Sequence, residues 1–324
     1  MNSIRKTETS GNQPWILQRA DPYVYRHTDG TYYFTASVPA YDRIILRRSR
    51  TLVGLADAEE VTIWKKHESG HMGNHIWAPE LHFLEGKWYI YFAAGDAEDK
   101  WAIRPYVLEC ADEDPVTGTW TEKGKMGCAD EDEFSFRSFS LDATVFENHG
   151  EHYYVWAEKV GVGKMISNLY IARMESPCKL ATVQVLLTTP DYDWERVDFW
   201  VAEGPAVIKR NGRIFLTYSA SGTGACYCMG MLTADENADL LDPASWKKER
   251  YPVLKSDPSL GIYGPGHNSF TVDEEGNEIC VYHARQESVI EGDPLYNPNR
   301  HAMLMKLEWD ADGRPVFRYK KENK

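Results

Sequence analysis

One pattern recurs along this chain at nearly constant spacing, and it restricts the possible folds more than any other feature. A short β-prone run is followed by a glycine-containing turn and then by an aromatic, β-branched run. The five copies are DPYVYRHTDGTYYFTAS, PELHFLEGKWYIYFAAG, DATVFENHGEHYYVWAE, GPAVIKRNGRIFLTYSAS and NSFTVDEEGNEICVYHAR. Each reads as a β-hairpin. The turn glycines are Gly30, Gly86, Gly150, Gly212 and Gly276, at intervals of 56, 64, 62 and 64 residues. Such a period is too long for a helical solenoid and suits a four-stranded propeller blade with generous loops. The expected fold is all-β: a five-bladed β-propeller with a central pocket.

Long helical periodicity is absent. ADENADLLDPASWKK is the best short helical candidate, placed in a connection between strands. No Pro/Ser-rich linker or shift in composition divides the 324 residues, so 1–324 reads as a single domain with a short flexible N-terminus over about 1–13. HAMLMKLEWDADGRPVF reads as a further hairpin turning at Asp312-Gly313, which in a propeller can close the ring beside N-terminal strands.

Counting back nine residues from each turn glycine gives Asp21, Trp77, Leu141, Glu203 and His267. The third copy has the longer turn Glu-Asn-His-Gly, and eight residues back from Gly150 lies Asp142. The innermost strands of a propeller surround its axis, so their starting ends converge at one mouth of the channel. Asp21, Asp142 and Glu203 are therefore expected in one pocket, with Trp77 and His267 beside them. Taken singly, each has a plainer reading: Asp21-Pro22 suits a turn opening, and Asp142 suits a backbone cap. The shared repeat position argues against independent solvated strand ends.

Like charges in one cavity raise one another's pKa, and burial adds to the effect. Environments that separate the pKa values of neighbouring carboxyls create an acid and a base side by side. Glycosidic bond hydrolysis needs such a pair: one carboxyl protonates the leaving oxygen while the other attacks the sugar or activates water. The two lie roughly 6.5–9.5 Å apart in inverting enzymes and about 5–5.5 Å apart in retaining ones.

Composition narrows the partners. Acidic residues outnumber basic ones, 49 to 36, for a formal charge of −13, and no basic run appears, so neither nucleic acid nor an anionic membrane is an expected partner. No apolar run is long enough to span a bilayer. The N-terminal stretch MNSIRKTETSGNQPW lacks the apolar core of a signal peptide, and the six cysteines show no CxxC pairing. Together these point to a cytoplasmic location with free thiols, Cys226 and Cys228 on one face of a strand. Aromatic residues reach 13%, with 11 Trp and 19 Tyr; rings clustered at a pocket would offer the flat apolar platforms that sugars favour. The sequence sets no oligomeric state.

The segments ADPYVYR, IWAPELHF, SLDATVFE, EGPAVI, YGPGHNSF and YHAR occur in this order across almost the whole chain. In them the sequence resembles glycoside hydrolase family 43, a family of five-bladed propellers with inverting activity. The resemblance implies that Asp21 is the general base activating water, that Glu203 is the general acid, and that Asp142 tunes and orients that acid. It implies that Trp77 packs against the sugar, where a core Trp between blades is the alternative. It places Arg285 in the pocket against substrate or a carboxylate, where a surface arginine is the alternative, and leaves His283 as either a substrate contact or a core histidine. Near His267 it implies a hydrated cation, often calcium, that is not required for the chemistry; a histidine hydrogen-bonding near the catalytic groups is the other reading. The runs YYFTASVPAYDRIILRRS and GDPLYNPNRHAM look most like exo-acting α-L-arabinofuranosidases, implying an oligosaccharide substrate, typically 1,5-linked arabinan fragments. β-Xylosidase and endo-arabinanase are the alternatives within the family, and a non-catalytic glycan-binding propeller the alternative outside it.

Overall fold

The structure is a computed structural model that describes residues 12–320. The flexible N-terminus expected over 1–13 lies, apart from Asn12 and Gln13, outside the described residues.

Strands fall into five blades in sequence order, antiparallel within each, and a short parallel pairing of Ile166 and Ser167 with Trp200 and Val201 joins the third blade to the fourth. Blade I holds β1 (Ala20–Arg26), β2 (Tyr32–Ser37), β3 (Arg43–Ser49) and β4 (Val61–Lys65). Blade II holds β5 (Asn74–Leu84), β6 (Lys87–Gly95), β7 (Arg104–Cys110) and β8 (Trp120–Lys125). Blade III is built on β9 (Ser140–Asn148), β10 (Glu151–Val162) and β11 (Lys164–Ser176), edged by β12 (Lys179–Leu180) and β13 (Val185–Thr188). Blade IV holds β14 (Trp200–Arg210), β15 (Arg213–Ala220), β16 (Cys228–Asp235) and β17 (Lys247–Lys248). Blade V holds β18 (Tyr263–Val272), β19 (Glu278–Arg285) and β20 (His301–Lys306). The expected terminal hairpin is split: His301–Lys306 is the third strand of blade V, while β21 (Glu308–Trp309) and β22 (Pro315–Val316) pair around the Asp312-Gly313 turn.

The apolar faces meet blade on blade, and five buried layers fill the five interfaces around the ring. Ile44, Leu46, Leu81 and Trp88 lie between blades I and II, and Tyr91, Val107, Val145 and Trp156 between II and III. Leu169, Ile171, Leu216 and Leu232 join III to IV, and Met229, Cys280 and Tyr282 join IV to V. Val24, Phe34, Val281 and Leu304 close V onto I. Each layer removes two sheet faces from water at roughly 25 cal/mol per Å² of apolar area. The ring is fastened by Ile16, which exchanges two backbone hydrogen bonds with Ala302 of β20 (2.9 and 3.2 Å).

The helical expectation for ADENADLLDPASWKK is not met. It contains the end of β16, turns, a 3-10 turn at Pro243–Ser245 and β17. Asp235, Asp239 and Asp242 each turn back on a backbone N–H two residues on, at Asn237, Leu241 and Ala244, and this local bonding competes with a helix.

Candidate active site

Every inner strand carries a β-bulge at the same point. Two residues stand opposite one between the paired positions Ala20↔Ser37 and Tyr23↔Thr35 in blade I. The same happens after Trp77↔Ala93, Leu141↔Ala157, Glu203↔Ser219 and Gly266↔His283 in the other four. The first bulged residue is left-handed in all five blades: Asp21 (φ 53°), Ala78 (47°), Asp142 (53°), Gly204 (55°) and His267 (44°). Bulges bend the strand and re-aim side chains, and outside glycine the left-handed region is entered most readily by Asn, Asp and His.

This register corrects the sequence count. Turns at Glu85-Gly86, His149-Gly150 and Asn211-Gly212 have positive φ at both residues, the two-residue type I′ form. The turns ending at Gly30 and Gly276 have positive φ at the glycine alone, close through Gly30 N to His27 O and Gly276 N to Asp273 O, and hold one residue more. Eight residues back is therefore the equivalent position in blades II, III and IV, and nine in blades I and V. Trp77 and Glu203 sit one residue before the bulge, not on it.

The expected residues do converge. Asp21 and Asp142 are buried, and Glu203 keeps part of its surface exposed. His267 Nδ1 stands 3.3 Å from Asp21 Oδ1 and 3.6 Å from Asp142 Oδ2, joining blades I, III and V. Asp142 Oδ2 accepts the Gly204 N–H at 3.2 Å, beside Glu203. A β-carbon on Gly204 would stand 3.0 Å from Cγ of His267, so close approach as well as φ calls for glycine there.

Around Asp21 the partners are dense. Ser37 Oγ donates to Oδ2 at 2.6 Å and itself accepts the Ala78 N–H at 2.8 Å. Arg300 Nη1 lies 3.5 Å from Oδ1. The Asp21 N–H reaches His283 Nδ1 at 3.1 Å, and burial lowers His283 to a pKa of about 4, so the imidazole is neutral and accepts through Nδ1. Its Nε2 is buried with no partner among the described residues. Glu203 Oε1 accepts from Tyr227 at 2.9 Å.

These surroundings divide the carboxyls. Burial pushes Asp21 up, but the nearby His267 and Arg300 charges outweigh it and hold the group far below the usual carboxylate range. Burial raises Asp142 to about 8, opposed by His267 and reinforced by Glu203 and Asp21. Burial also raises Glu203, against the hydrogen bond from Tyr227. Burial disfavours the charged form of His267, yet Asp142, Asp21 and Glu203 outweigh it and raise its pKa. Near neutral pH the site thus holds one firmly ionised carboxylate and a neighbouring pair that retains a proton.

Other expectations fare differently. Trp77 is buried, with His75 stacked on its ring (4.3 Å between centroids) and Tyr41 edge-on at 5.6 Å. Arg285 is buried, which removes the surface reading, but among the described residues no carboxylate pairs with it. It donates to Asn297 Oδ1 (2.8 Å), Pro294 O (2.6 Å) and Thr223 O (3.4 Å), because the loop after β19 folds back over it. The contact with a carboxylate belongs to Arg300, just before β20. The sequence reading did not single out Arg300, Tyr227, Ser37 or Ser219, whose Oγ accepts the His267 N–H at 2.6 Å. A signal existed for the serines: seven residues after the turn glycines lie Ser37, Ala93, Ala157, Ser219 and His283, the partners of the residue preceding each bulge.

A protein-ligated metal does not fit these residues. The Nδ1 of His267 faces the carboxylates of Asp21 and Asp142 at 3.3 and 3.6 Å, so that nitrogen has no open position for an ion. Among the described residues no group of three His, Cys, Asp or Glu side chains is arranged to hold an ion. All six cysteines are free.

Residues 12–315 match the model of glycosyl hydrolases family 43. The chain belongs to that family. An extracellular exo-alpha-(1->5)-L-arabinofuranosidase of Streptomyces avermitilis is 53% identical over 305 residues, 94% of this chain, and the match spans 62% of that longer protein. A Streptomyces chartreusis protein of the same name is 53% identical over 282 residues, 87% of this chain and 84% of its own. The crystal structure of an alpha-L-arabinofuranosidase from Lactobacillus brevis superimposes with a TM-score of 0.88 at 52% identity, covering 95% of this chain and 98% of that one. The expected cytoplasmic location is overturned, since both Streptomyces relatives are named extracellular. That expectation rested on the lack of an apolar leader and of paired cysteines, and such a lack places a family 43 chain nowhere.

Proposed function

We propose that this chain is a single catalytic propeller that releases terminal α-L-arabinofuranose from α-1,5-linked arabino-oligosaccharides with inversion. The observation that carries the reading is the convergence of Asp21, Asp142 and Glu203 beside His267, set in a chain 53% identical to enzymes named for that activity. Asp21, ionised beside Arg300, takes a proton from water as the water oxygen bonds to the anomeric carbon. Glu203 gives its proton to the glycosidic oxygen as the old bond breaks, and solvent restores both groups. Asp142, which shares the cavity with Glu203 and bonds Gly204, keeps the acid protonated and in place.

Rings at the pocket rim support a sugar substrate. Trp101 is 47% exposed and its ring lies 6.2 Å from Trp77, while Tyr296 is 42% exposed and its hydroxyl lies 3.1 Å from His75 Nε2. No cofactor enters the proposed chemistry.

A product time course on linear and branched arabino-oligosaccharides, with NMR of the first-formed anomer, tests the proposal. Monosaccharide from the first time point, released as the inverted anomer, is expected. Early oligomeric products would make the enzyme endo-acting, a retained anomer would remove the base role from Asp21, and binding without product would make the chain a lectin-like propeller.

A further inference from the structure

Tyr227, between β15 and β16, is buried to 1% exposure. Its hydroxyl donates to Glu203 Oε1 at 2.9 Å. Its ring lies parallel to His283, with centroids 5.5 Å apart and planes 7° apart. His283 accepts the backbone N–H of Asp21. One side chain thus touches both the proposed acid and the histidine that fixes the proposed base. Gly266 backs the ring closely on one side, where a β-carbon would stand 2.4 Å from it.

A protonated carboxyl has one oxygen that carries the proton and one that only accepts. A tyrosine hydroxyl has a single hydrogen, and spending it on Oε1 makes that oxygen the acceptor. The proton of Glu203 is then left on Oε2. We infer that Tyr227 is a positioning residue that keeps the acidic proton of Glu203 on Oε2 and braces the histidine behind Asp21. The inference rests on the roles proposed above for Glu203 and Asp21. The groups that act on Glu203 alongside Tyr227 are the carboxyls of Asp21 and Asp142, the imidazole of His267 and the ammonium of Lys159.

Tyr227→Phe in the full chain tests it, because the ring and its stack remain while the donor goes. A hydrogen bond to the ionised carboxyl favours ionisation, so losing it raises the Glu203 pKa. The alkaline limb of kcat/KM should move up by about one pH unit. Turnover of arabino-oligosaccharides should fall roughly tenfold, part of the 10²–10⁴ that a general acid contributes, while nitrophenyl arabinofuranoside, whose leaving group needs little protonation, should be largely spared. Equal losses on both substrates with an unmoved alkaline limb would reduce Tyr227 to a packing residue. Carboxyl ¹³C NMR, with Glu203 assigned by comparison with Glu203→Gln, reads the same point without activity: an unchanged Glu203 titration in Tyr227→Phe overturns the inference. Wild-type protein inactive on these sugars would instead defeat the proposed function, and the titration would still decide the role of Tyr227.

Discussion

Arg300 Nη1 faces Asp21 Oδ1 at 3.5 Å across the junction of the last blade with the first, and both side chains are buried. With His267, this guanidinium keeps Asp21 ionised against the cost of burial. A carboxyl whose folded pKa is depressed stays charged until the pH falls through that depressed value, so the wild-type base is available far into acid. Arg300→Met should raise the Asp21 pKa and move the acid limb of kcat/KM upward by a unit or so, with the largest activity loss at low pH. It should also lower the melting temperature, since removing one partner of a buried pair costs about 3–5 kcal/mol. An unmoved acid limb would show that His267 alone sets the charge of Asp21.

Asp21→Ala and Glu203→Ala should each cut turnover of arabino-oligosaccharides by roughly 10²–10⁴ with the fold retained by circular dichroism. They should part on a substrate with an activated leaving group. That substrate bypasses the need for an acid, so Glu203→Ala should recover much of its rate and Asp21→Ala should not. Identical behaviour of the two variants on both substrates would contradict the division of labour.

Asp142 has the opposite linkage to Asp21. Its folded pKa of about 8 lies above its ordinary value, so the fold favours the protonated form, and stability is lost as pH rises from about 4 toward 8. Asp142→Asn keeps an oxygen for the Gly204 N–H and removes the charge. The variant should melt higher than wild type at pH 8, with the difference shrinking as pH approaches 4, and it should turn over more slowly, with a displaced alkaline limb. A melting difference independent of pH would mean that Asp142 titrates normally.

The fold was legible because its signal is written five times. Turn glycines at 30, 86, 150, 212 and 276 all take φ between +75° and +83°, and each heads the second strand of its blade. Asp21, Asp142, Glu203 and His267 could be placed at one mouth by counting from those glycines. The count slipped by one at Trp77 and Glu203, because turn type is decided by φ at Glu85, His149 and Asn211 and not by composition. The slip did not misplace Glu203, since a bulge brings successive residues of one strand to the same region. Arg300 and Tyr227 were not legible: both lie outside the repeated hairpins, in connections whose course is set by packing. Arg285 was expected in the pocket, against substrate or a carboxylate, because the family resemblance places it there, whereas the loop from Pro294 to Asn297 captures its guanidinium.

The backbone clasp between Ile16 and Ala302 holds a consequence for heat inactivation. Asp21 follows the clasp by five residues, and two of its partners, His283 and Arg300, come from the far side of the joint. Parting blade V from blade I would unseat the base while the sheets of blades II, III and IV remain folded. Loss of turnover on warming should therefore run ahead of the loss of β-sheet signal, and a covalent link across the joint should bring the two temperatures together.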